Sequence, residues 1–363
     1  MIKKMLFIGE GTYAEGLAKG HKSYLEGFPQ REKFLFDEFV KRGLRIEKLG
    51  HLSLRKKEDM RKERGRIHDI IKERQVDFDA IFVNNPWSYS LIPVWWDKPV
   101  VFDYIDFYVQ MSQKEFPNDR IGNIILSSNL VMLCSRANKI VAQGGTTFSW
   151  LKRDGYEEKS LVIPNGYVSE KFFPYKEKRL SSIRKKYGRL FPQIKGKKIV
   201  CFTGKLGKWY DGNLDVAKAV CKLKDWVFVV AGDGPLMEEM KKFPKEKVVL
   251  MGRVDLKEVP DVQNLGDVFV LAVDDDSPIA TTEAMACGKP ILHYGECISW
   301  LVPHKESGYL VIGDTKRERI KGYQDGLKWC YENRKEVGER NLRRVRDLSW
   351  RKLSKKFMEF INK

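Results

Sequence analysis

Residues 267–290 read DVFVLAVDDDSPIATTEAMACGKP, which places an apolar strand, an acidic loop and a helix start in direct succession. The run 267–273 is apolar and of strand length. A hydroxyl of Thr281 or Thr282 is suited to N-cap the helix, and Gly288 is suited to end it. In an α/β fold, free backbone N–H groups point outward where a buried strand ends and a helix begins. This order therefore predicts a site for anions or sugars.

Two acidic side chains flank the start of this helix. Asp275 lies on the loop, and Glu283 lies eight positions later on the predicted helix. Carboxylates beside free amides are able to bind hydroxyl and phosphate groups together. The alternative is a helix whose acidic residues only favour its N-terminus, and the spacing leaves both interpretations open.

Length and charge bound the class of protein. A chain of 363 residues, 42% of them hydrophobic, is long enough for two domains with cores of their own. Its net charge of +18 suggests an anionic partner, which would be a nucleotide, an anionic lipid surface or a nucleic acid. A cationic surface that only keeps the protein soluble explains the same charge.

Cysteine usage and hydropathy indicate the cellular compartment of the protein. The six cysteines form no C-x-x-C pair, which favours buried, reduced thiols over a zinc site. No apolar run reaches the roughly 18 residues of a membrane span, and the first strand turns to glycine before a secretory segment has formed. We therefore expect a cytoplasmic protein and leave peripheral association with the inner membrane face open.

The first half of the chain begins with a strand and a glycine turn. Gly9, Gly11 and Ala14 give G-x-G-x-x-A, which is close to the dinucleotide-binding fingerprint. That fingerprint needs an acidic residue about 20 positions further on, whereas Glu47 on the predicted second strand comes far later. This misplacement counts against a nicotinamide-dependent oxidoreductase, and the glycines indicate a plain strand-to-helix turn.

Strands and helices alternate along the whole chain. A predicted strand within 98–108 ends at the carboxylate of Asp103, and a second series of strands and helices begins at residue 197. The alternation predicts an α/β fold with two doubly wound domains built on parallel sheets. We interpret the basic segment 164–198 as a hinge and linker, and the tail 348–363 as a cationic amphipathic helix that packs against a domain.

Several stretches together resemble the retaining GT-B glycosyltransferases of family four, the glycosyl transferases group 1 type. They are SLVIPNGYVSEKFFP (160–174), VFVVAGDGP (227–235), VVLMGRV (248–254), the run 267–292 and VPHKESGYLV (302–311). Their order and spacing match the family, strongly over 197–314 and weakly before residue 138. The resemblance implies two Rossmann-like domains that face a cleft, residues 1–165 and 166–345. A closing helix at 346–363 is expected to cross back onto the first domain.

The resemblance implies transfer of a sugar from a nucleotide-sugar, such as a UDP- or GDP-sugar, with retention and without a divalent metal or another cofactor. The expected acceptor is a hydroxyl of a glycan, a glycolipid or a polysaccharide precursor. In the family's E-x7-E signature, Glu283 matches the second acid, which holds the ribose hydroxyls. Asp275 stands where the first acid contacts the donor sugar beside its reacting carbon, and its side chain is one methylene shorter than the usual Glu.

The resemblance also assigns groups to the departing nucleoside diphosphate and to the acceptor. Lys205 stands at the position of the family's Arg, Lys208 substitutes for a second cation, and Gly11 lets the backbone approach the diphosphate. Asp103 is expected to position or deprotonate the acceptor hydroxyl. The complete predicted donor-binding set is Gly11, Lys205, Lys208, Arg253, Asp276, Ser277, Pro278, Ile279, Ala280, Thr281, Thr282 and Glu283.

Two alternatives accompany this prediction. The run 274–276 contains D-x-D, which chelates manganese in another glycosyltransferase fold, but TTEAMACG follows it at the spacing of family four, so we do not expect a metal. Asp275 in place of Glu and the unclear second cation also suit a non-catalytic GT-B protein that binds a nucleotide or a polyanion. An anionic membrane surface remains an expected partner, whereas nucleic acid is disfavoured.

Overall fold

The computed structural model describes residues 1–10, 30–51, 57–105 and 107–363, with the backbone alone at residues 10, 30, 50–51, 57–60, 115 and 208. The chain divides into two units, Met1–Pro164 together with Trp350–Lys363, and Asn165–Ser349. The borders of these units lie one residue and four residues away from the predicted borders after 165 and 345.

The described part of the first unit is built on a six-stranded parallel sheet. Its strands are β1 (Lys4–Glu10), β2 (Arg45–His51), β3 (Ala80–Val83), β4 (Val100–Tyr104), β5 (Lys139–Ala142) and β6 (Ser160–Val162). They pair in the order β2-β1-β3-β4-β5-β6. Every residue of β3 and β4 is buried, which explains why these strands are continuous apolar runs in the sequence.

Helices cover this sheet on both faces. They are α1 (Gln30–Lys41), α2 (Lys57–Arg74), α3 (Tyr108–Glu115), α4 (Arg120–Arg136) and α5 (Gly145–Arg153), with 3-10 turns at Gln75–Asp77, Pro86–Leu91 and Glu157–Lys159. Ile67 of α2, Leu91 of the second turn, Leu133 of α4 and Leu151 of α5 belong to one buried cluster. These elements therefore lie on the same face of the sheet.

The second unit repeats the architecture. Its strands are β7 (Lys198–Thr203), β8 (Trp226–Ala231), β9 (Val248–Gly252), β10 (Val268–Leu271), β11 (Ile291–Tyr294) and β12 (Gly308–Val311), paired in the order β12-β11-β10-β7-β8-β9. Its helices are α6 (Glu177–Leu190), α7 (Asn213–Cys221), α8 (Met237–Met240), α9 (Val259–Leu265), α10 (Ile279–Ala286), α11 (Lys316–Glu332) and α12 (Arg334–Val345), with 3-10 turns at Pro192–Ile194 and Lys208–Tyr210. The predicted α/β fold with two doubly wound parallel sheets is confirmed.

The interpretation of 164–198 as a linker is wrong. About half of this segment folds into α6 and the turn after it, and Phe172, Tyr175, Ile183 and Tyr187 are buried in the core of the second unit. The basic residues that suggested a solvated linker occupy the outer side of α6. Its apolar residues recur at helical spacing and face the core.

The last helix, α13 (Trp350–Ile361), returns to the first unit. Its Trp350 stacks on Phe34 of α1 with ring centroids 5.6 Å apart, and Phe357 meets Phe39 edge-on at 5.2 Å. The predicted crossing of the C-terminal helix onto the first domain is thereby confirmed. None of the described helices combines the length and the apolar composition needed to cross a bilayer.

Candidate functional site

The predicted donor residues of the second unit lie at the switch point of its sheet. Strands β7 and β10 are neighbours, and the chain continues from β7 through β8 to β9 on one side and from β10 through β11 to β12 on the other. The loops that follow β7 and β10 therefore leave the same carboxyl edge side by side. This is the position at which open α/β sheets bind their ligands.

Close backbone contacts hold these loops together. A Cβ on Gly232 would lie 1.8 Å from the carbonyl oxygen of Gly204, and a Cβ on Gly212 would lie 2.1 Å from the carbonyl oxygen of Ala272. The Gly232 N–H also donates to the carbonyl of Gly252, at the end of β9, at 2.8 Å. Only glycine allows backbones to approach so closely. The loops after β7, β8, β9 and β10 thus form one continuous edge.

Two of the predicted cations sit on this edge. Lys205 lies on the loop after β7, is exposed, and forms no ion pair with any residue that the structure describes. Arg253 directly follows β9 and is also exposed. Lys208 begins the short turn Lys208–Tyr210, but its side chain lies outside the description, as does Gly11 as a whole. An anion at this edge would therefore meet Lys205 and Arg253.

Two of the three consecutive aspartates support the loop structurally. The Asp274 carboxylate accepts a hydrogen bond from the Cys297 backbone N–H at 2.9 Å, and the Asp276 carboxylate accepts one from the Trp300 indole N–H at 2.9 Å. Both carboxylates are thus directed at the segment that follows β11. Among the residues described, no group of three or more His, Cys, Asp or Glu side chains is placed to hold a metal ion. Metal independence itself stays a prediction.

Asp275 differs from its two neighbours. It is half-buried, and its carboxylate accepts a hydrogen bond from the Ser277 backbone N–H at 3.3 Å within its own turn. Burial, together with the negative charges of Asp276 and Asp274, raises the pKa of Asp275 to about 6, although backbone hydrogen bonds oppose the shift. The carboxyl group of Asp275 therefore changes its ionisation state near pH 6.

Glu283 lies on α10, four residues after the first residue of the helix. Its side chain is 6% exposed, and the side-chain amide of Gln263 on α9 is a polar neighbour of its carboxylate. Burial raises the pKa of Glu283 to about 8, against the opposing effects of Gln263 and the positive charge of Lys171. Gln263 also donates to the Ala280 carbonyl at 3.3 Å and to Thr203 Oγ1 at 3.1 Å, so it ties α10 to the end of β7.

The helix start differs from the prediction. Pro278, with φ −64° and ψ 133°, is the N-cap of α10, so the expectation that Thr281 or Thr282 takes this place is wrong. The proline ring fixes the backbone at the entry to the helix, so the helix starts earlier than a hydroxyl cap would have it start. Ile279 and Ala280 are consequently the first helical residues, whose N–H groups have no intrahelical acceptor.

Asn165 is a site residue that the sequence reasoning missed. Its backbone N–H donates to Ser277 Oγ at 3.0 Å, and its side-chain amide donates to the Ser277 carbonyl at 2.5 Å. The Thr282 hydroxyl in turn donates to the Asn165 carbonyl at 3.1 Å. One buried asparagine thereby fixes both the acidic loop and the first turn of α10. The local signal for Asn165 is the Pro-Asn-Gly sequence after β6, which lies in the segment that sequence alone predicts as a hinge.

Asp103, predicted to lie beside the acceptor, is fully buried in the first unit at the end of β4. Its two oxygens accept hydrogen bonds from the Arg31 guanidinium, each at 2.8 Å. Arg31 also donates to the carbonyls of Pro164 and Ile163 at 3.1 and 2.9 Å. Both carboxylate oxygens of Asp103 are thus bound by Arg31. A role of Asp103 toward an acceptor stays a prediction.

A second buried acid adjoins this ion pair. Glu32 is fully buried and accepts a hydrogen bond from the Asn84 side-chain amide. Burial, reinforced by the charge of Asp103, raises the pKa of Glu32 to about 8. Glu32 is therefore mostly protonated at neutral pH, and the bidentate pair with Arg31 keeps the negative charge of the cluster on Asp103.

Part of the second unit is similar in sequence to a known protein family. Residues 197–325 match the family model described as Glycosyl transferases group 1. A curated relative, UDP-Gal:alpha-D-GlcNAc-diphosphoundecaprenol alpha-1,3-galactosyltransferase of Escherichia coli, is 33% identical over 150 residues. That alignment covers 37% of this chain and 36% of the relative, so it spans about a third of the relative's length. The resemblance to glycosyl transferases group 1 is thus confirmed, with a family match that lies within the second unit.

Solved structures extend the fold to the whole chain. The sucrose-phosphate synthase of Thermosynechococcus elongatus has a TM-score of 0.76 at 12% identity, covering 99% of this chain and 98% of that one. HepE of Anabaena, solved in complex with UDP-glucose, has a TM-score of 0.67 at 15% identity and covers 100% of both chains. At these identities the likeness concerns the fold, which is GT-B.

Proposed function

We propose that the chain is a glycosyltransferase that binds a nucleotide-sugar on its second unit and transfers the sugar to a hydroxyl acceptor with retention of configuration. The observation that carries the proposal is the loop 274–278. It is fixed at the switch point of the sheet, in a segment that matches glycosyl transferases group 1, and it presents Asp275 beside the N-terminus of α10.

The proposed chemistry follows from charge development at the leaving group. Transfer breaks the bond between the sugar's anomeric carbon and the diphosphate oxygen, and the nucleoside diphosphate departs with additional negative charge. Fixed donors and cations that face this charge lower the barrier because they need no reorganisation during the reaction. Lys205, Arg253 and the first N–H groups of α10 are the candidates for this role.

Glu283 and Asp275 are proposed to have different roles. Glu283, buried just over one turn inside α10, is proposed to accept hydrogen bonds from the ribose hydroxyls. Asp275 is proposed to contact the donor sugar next to its reacting carbon, where its charge favours the developing positive charge of the sugar ring. Because Asp275 is half-buried, this interaction is screened less than it would be in open water.

The relatives suggest the substrate class. The name of the Escherichia coli relative specifies a UDP-sugar donor and a sugar linked to diphosphoundecaprenol as acceptor, and the HepE structure contains UDP-glucose. We therefore propose a UDP-sugar as donor and a lipid-linked glycan as acceptor. The proposal includes a cytoplasmic location and a reaction that proceeds without a divalent metal.

The test is release of nucleoside diphosphate from a panel of UDP- and GDP-sugars, with and without lipid-linked acceptors and in the presence of a chelator. We expect one UDP-sugar to be consumed at an unchanged rate after chelation. NMR of the product should show the anomeric configuration of the donor. An intact protein that binds none of the nucleotide-sugars would overturn the proposal, and inversion would overturn its stereochemical part.

A non-catalytic nucleotide-binding protein is the second candidate, and the observation in its favour is Asp275 at a position where the family usually has Glu. The discriminating variant is Asp275→Glu. If the native protein binds a UDP-sugar without turnover and Asp275→Glu gains turnover, the shorter side chain has removed the activity. If Asp275→Glu instead lowers an existing activity, Asp275 is adapted to the chain's own donor.

A further inference from the structure

The outer face of helix α4 is apolar. Ile121, Ile124, Val131 and Met132 are between 50% and 73% exposed, although each has a large hydrophobic side chain. They recur at helical spacing and share one face of α4, whose opposite face contributes Leu126 and others to the core. No acidic residue occurs among the 17 residues of α4. The exposed Ser128 separates the first pair from the second, and exposed apolar side chains grouped on one helix face in this way often mark an interaction site.

The loop after the turn Pro86–Leu91 extends this face. Val94 is 88% exposed and Trp95 is 43% exposed. Arg136, the last residue of α4, donates to the Ile92 carbonyl at 3.1 Å and to the Trp96 carbonyl at 3.5 Å, which fixes the loop against the end of α4. Val94 and Trp95 are therefore held next to the apolar face and not carried on an unattached loop.

A cationic helix lies beside the apolar one. Helix α2 packs on the same face of the sheet as α4, and both helices contact the 3-10 turn Pro86–Leu91. Among residues 61–74, where the side chains of α2 are described, the exposed side chains are mostly basic, with Asp69 and Glu73 as the acidic ones. The exposed basic side chains in this part of α2 are Arg61, Lys62, Arg64, Arg66 and Lys72.

We propose that this surface, made of α2, the loop 92–96 and α4 and here called the lipid-facing surface, docks on an anionic membrane. Apolar side chains of α4 would enter the region between headgroups and acyl chains, and Trp95 suits that interface because its ring is apolar while its N–H is polar. The basic residues of α2 would meet anionic headgroups. A second copy of the chain fits less well, because a symmetric contact would bring two copies of the same basic helix together.

Docking on a membrane serves the proposed function, and this proposal rests on that function. An enzyme that glycosylates a lipid-linked acceptor must meet that acceptor at the bilayer, because the lipid does not leave it. The chain's net charge of +18 contributes long-range attraction to anionic lipid, and the apolar face of α4 contributes the short-range part.

The test is co-sedimentation of the full chain with vesicles of phosphatidylcholine alone or of phosphatidylcholine mixed with phosphatidylglycerol. We expect binding to the mixed vesicles that weakens as salt is raised. The double variant Ile124→Asp/Val131→Asp should lose at least about tenfold in partitioning, or about 1.4 kcal/mol. Arg61→Glu/Arg64→Glu should lose binding to the mixed vesicles and with it the salt dependence.

The matched control is Ile312→Asp in the second unit, since Ile312 is also a strongly exposed apolar residue, at 69%. It should bind like the native protein. The proposal is overturned if the native chain ignores the mixed vesicles, or if Ile312→Asp and the α4 double variant bind equally well. It is also overturned if the native chain sediments as a dimer and the double variant disrupts this dimer but keeps vesicle binding. In that case a second copy of the chain occupies the surface.

Failure of this inference is distinguishable from failure of the proposed function. Release of UDP from the donor in the absence of vesicles reports the donor site alone, and the α4 and α2 variants should leave it unchanged. Intact donor turnover without vesicle binding refutes the lipid-facing surface only. Vesicle binding without any nucleotide-sugar binding refutes the proposed function and leaves the surface standing.

Discussion

Replacing Glu283 by Gln should make the free protein more stable and the donor complex weaker. Glu283 is 6% exposed, and burial raises its pKa from 4.5 to about 8. Because the folded-state pKa lies above the unfolded one, the folded protein holds the proton more tightly. The associated stability is fully present below pH 4.5 and is lost as the pH rises through 8. Gln keeps the shape of the neutral acid and never ionises.

The size of the effect follows from the pKa shift. The shift from 4.5 to 8 corresponds to 3.5 units, and each unit is worth about 1.4 kcal/mol. Above pH 8 the ionised carboxylate therefore destabilises the native protein by at most about 5 kcal/mol, and near pH 7 by about 3 kcal/mol. The Gln variant should match the native protein below about pH 4.5 and exceed it by a few kcal/mol at neutral pH.

Donor affinity should respond in the opposite direction. Ribose hydroxyls donate hydrogen bonds, so they favour the carboxylate form, and binding of the donor should release a proton below pH 8. Native affinity is then expected to rise about tenfold per pH unit up to pH 8, the pKa of Glu283. Hydrogen bonds to a charged group contribute about 1.5–3 kcal/mol, so Gln should weaken binding by about ten- to a hundredfold at high pH.

The assay is unfolding of both proteins across pH, together with calorimetric titration of UDP in buffers of different ionisation enthalpy. Glu32→Gln is the matched control, because Glu32 is also buried and its pKa is also raised to about 8, but it lies in the first unit. It should show the same gain in stability with unchanged donor affinity. A Glu283→Gln protein that is less stable than the native one at neutral pH refutes the burial argument. Unchanged UDP affinity in Glu283→Gln refutes the ribose role.

Three further perturbations test the remaining parts of the site. Asp275→Asn should reduce turnover by about a hundredfold or more with donor affinity nearly kept, and native turnover should fall as the pH drops below 6, the pKa of Asp275, in single-turnover measurements. Asn165→Ala leaves the buried Ser277 carbonyl without its amide donor, so urea unfolding should show a loss of about 1–3 kcal/mol, with a raised KM for the donor. Asp103→Ala leaves Arg31 buried without its partner, and we expect a loss of about 3–5 kcal/mol in the free energy of unfolding; lost turnover at unchanged stability would instead favour its predicted role at the acceptor.

The fold was largely predictable because buried parallel strands leave a local signal. The strand β10 lies inside the apolar run 267–273, and the strands on either side of it repeat the same pattern between polar loops. Element ends were less predictable. The Thr-Thr pair before Glu283 has the composition of an N-cap, yet Pro278 starts the helix, because a fixed proline φ competes successfully with a hydroxyl cap.

The parts that sequence reasoning missed depend on distant partners. Asn165 meets Ser277 across 112 positions, and Arg31 meets Asp103 across 72. No local pattern reveals such pairs, since each residue alone fits a turn or a solvated helix face equally well. The basic segment that contains α6 is wrongly predicted as a linker for a related reason. Its charge dominates the composition, whereas its spaced apolar residues decide where it packs.

The acidic loop shows how the structure separates residues that the sequence leaves equivalent. Three consecutive aspartates have the same local chemistry, but Asp274 and Asp276 are directed at Cys297 and Trp300, more than 20 positions later. Asp275 differs from both, because its carboxylate accepts a hydrogen bond from within its own turn. Together with Glu283, it places two carboxyl groups with strongly raised pKa values beside one helix N-terminus. Burying such groups adds no stability at neutral pH, which is consistent with the binding roles that we propose for Asp275 and Glu283.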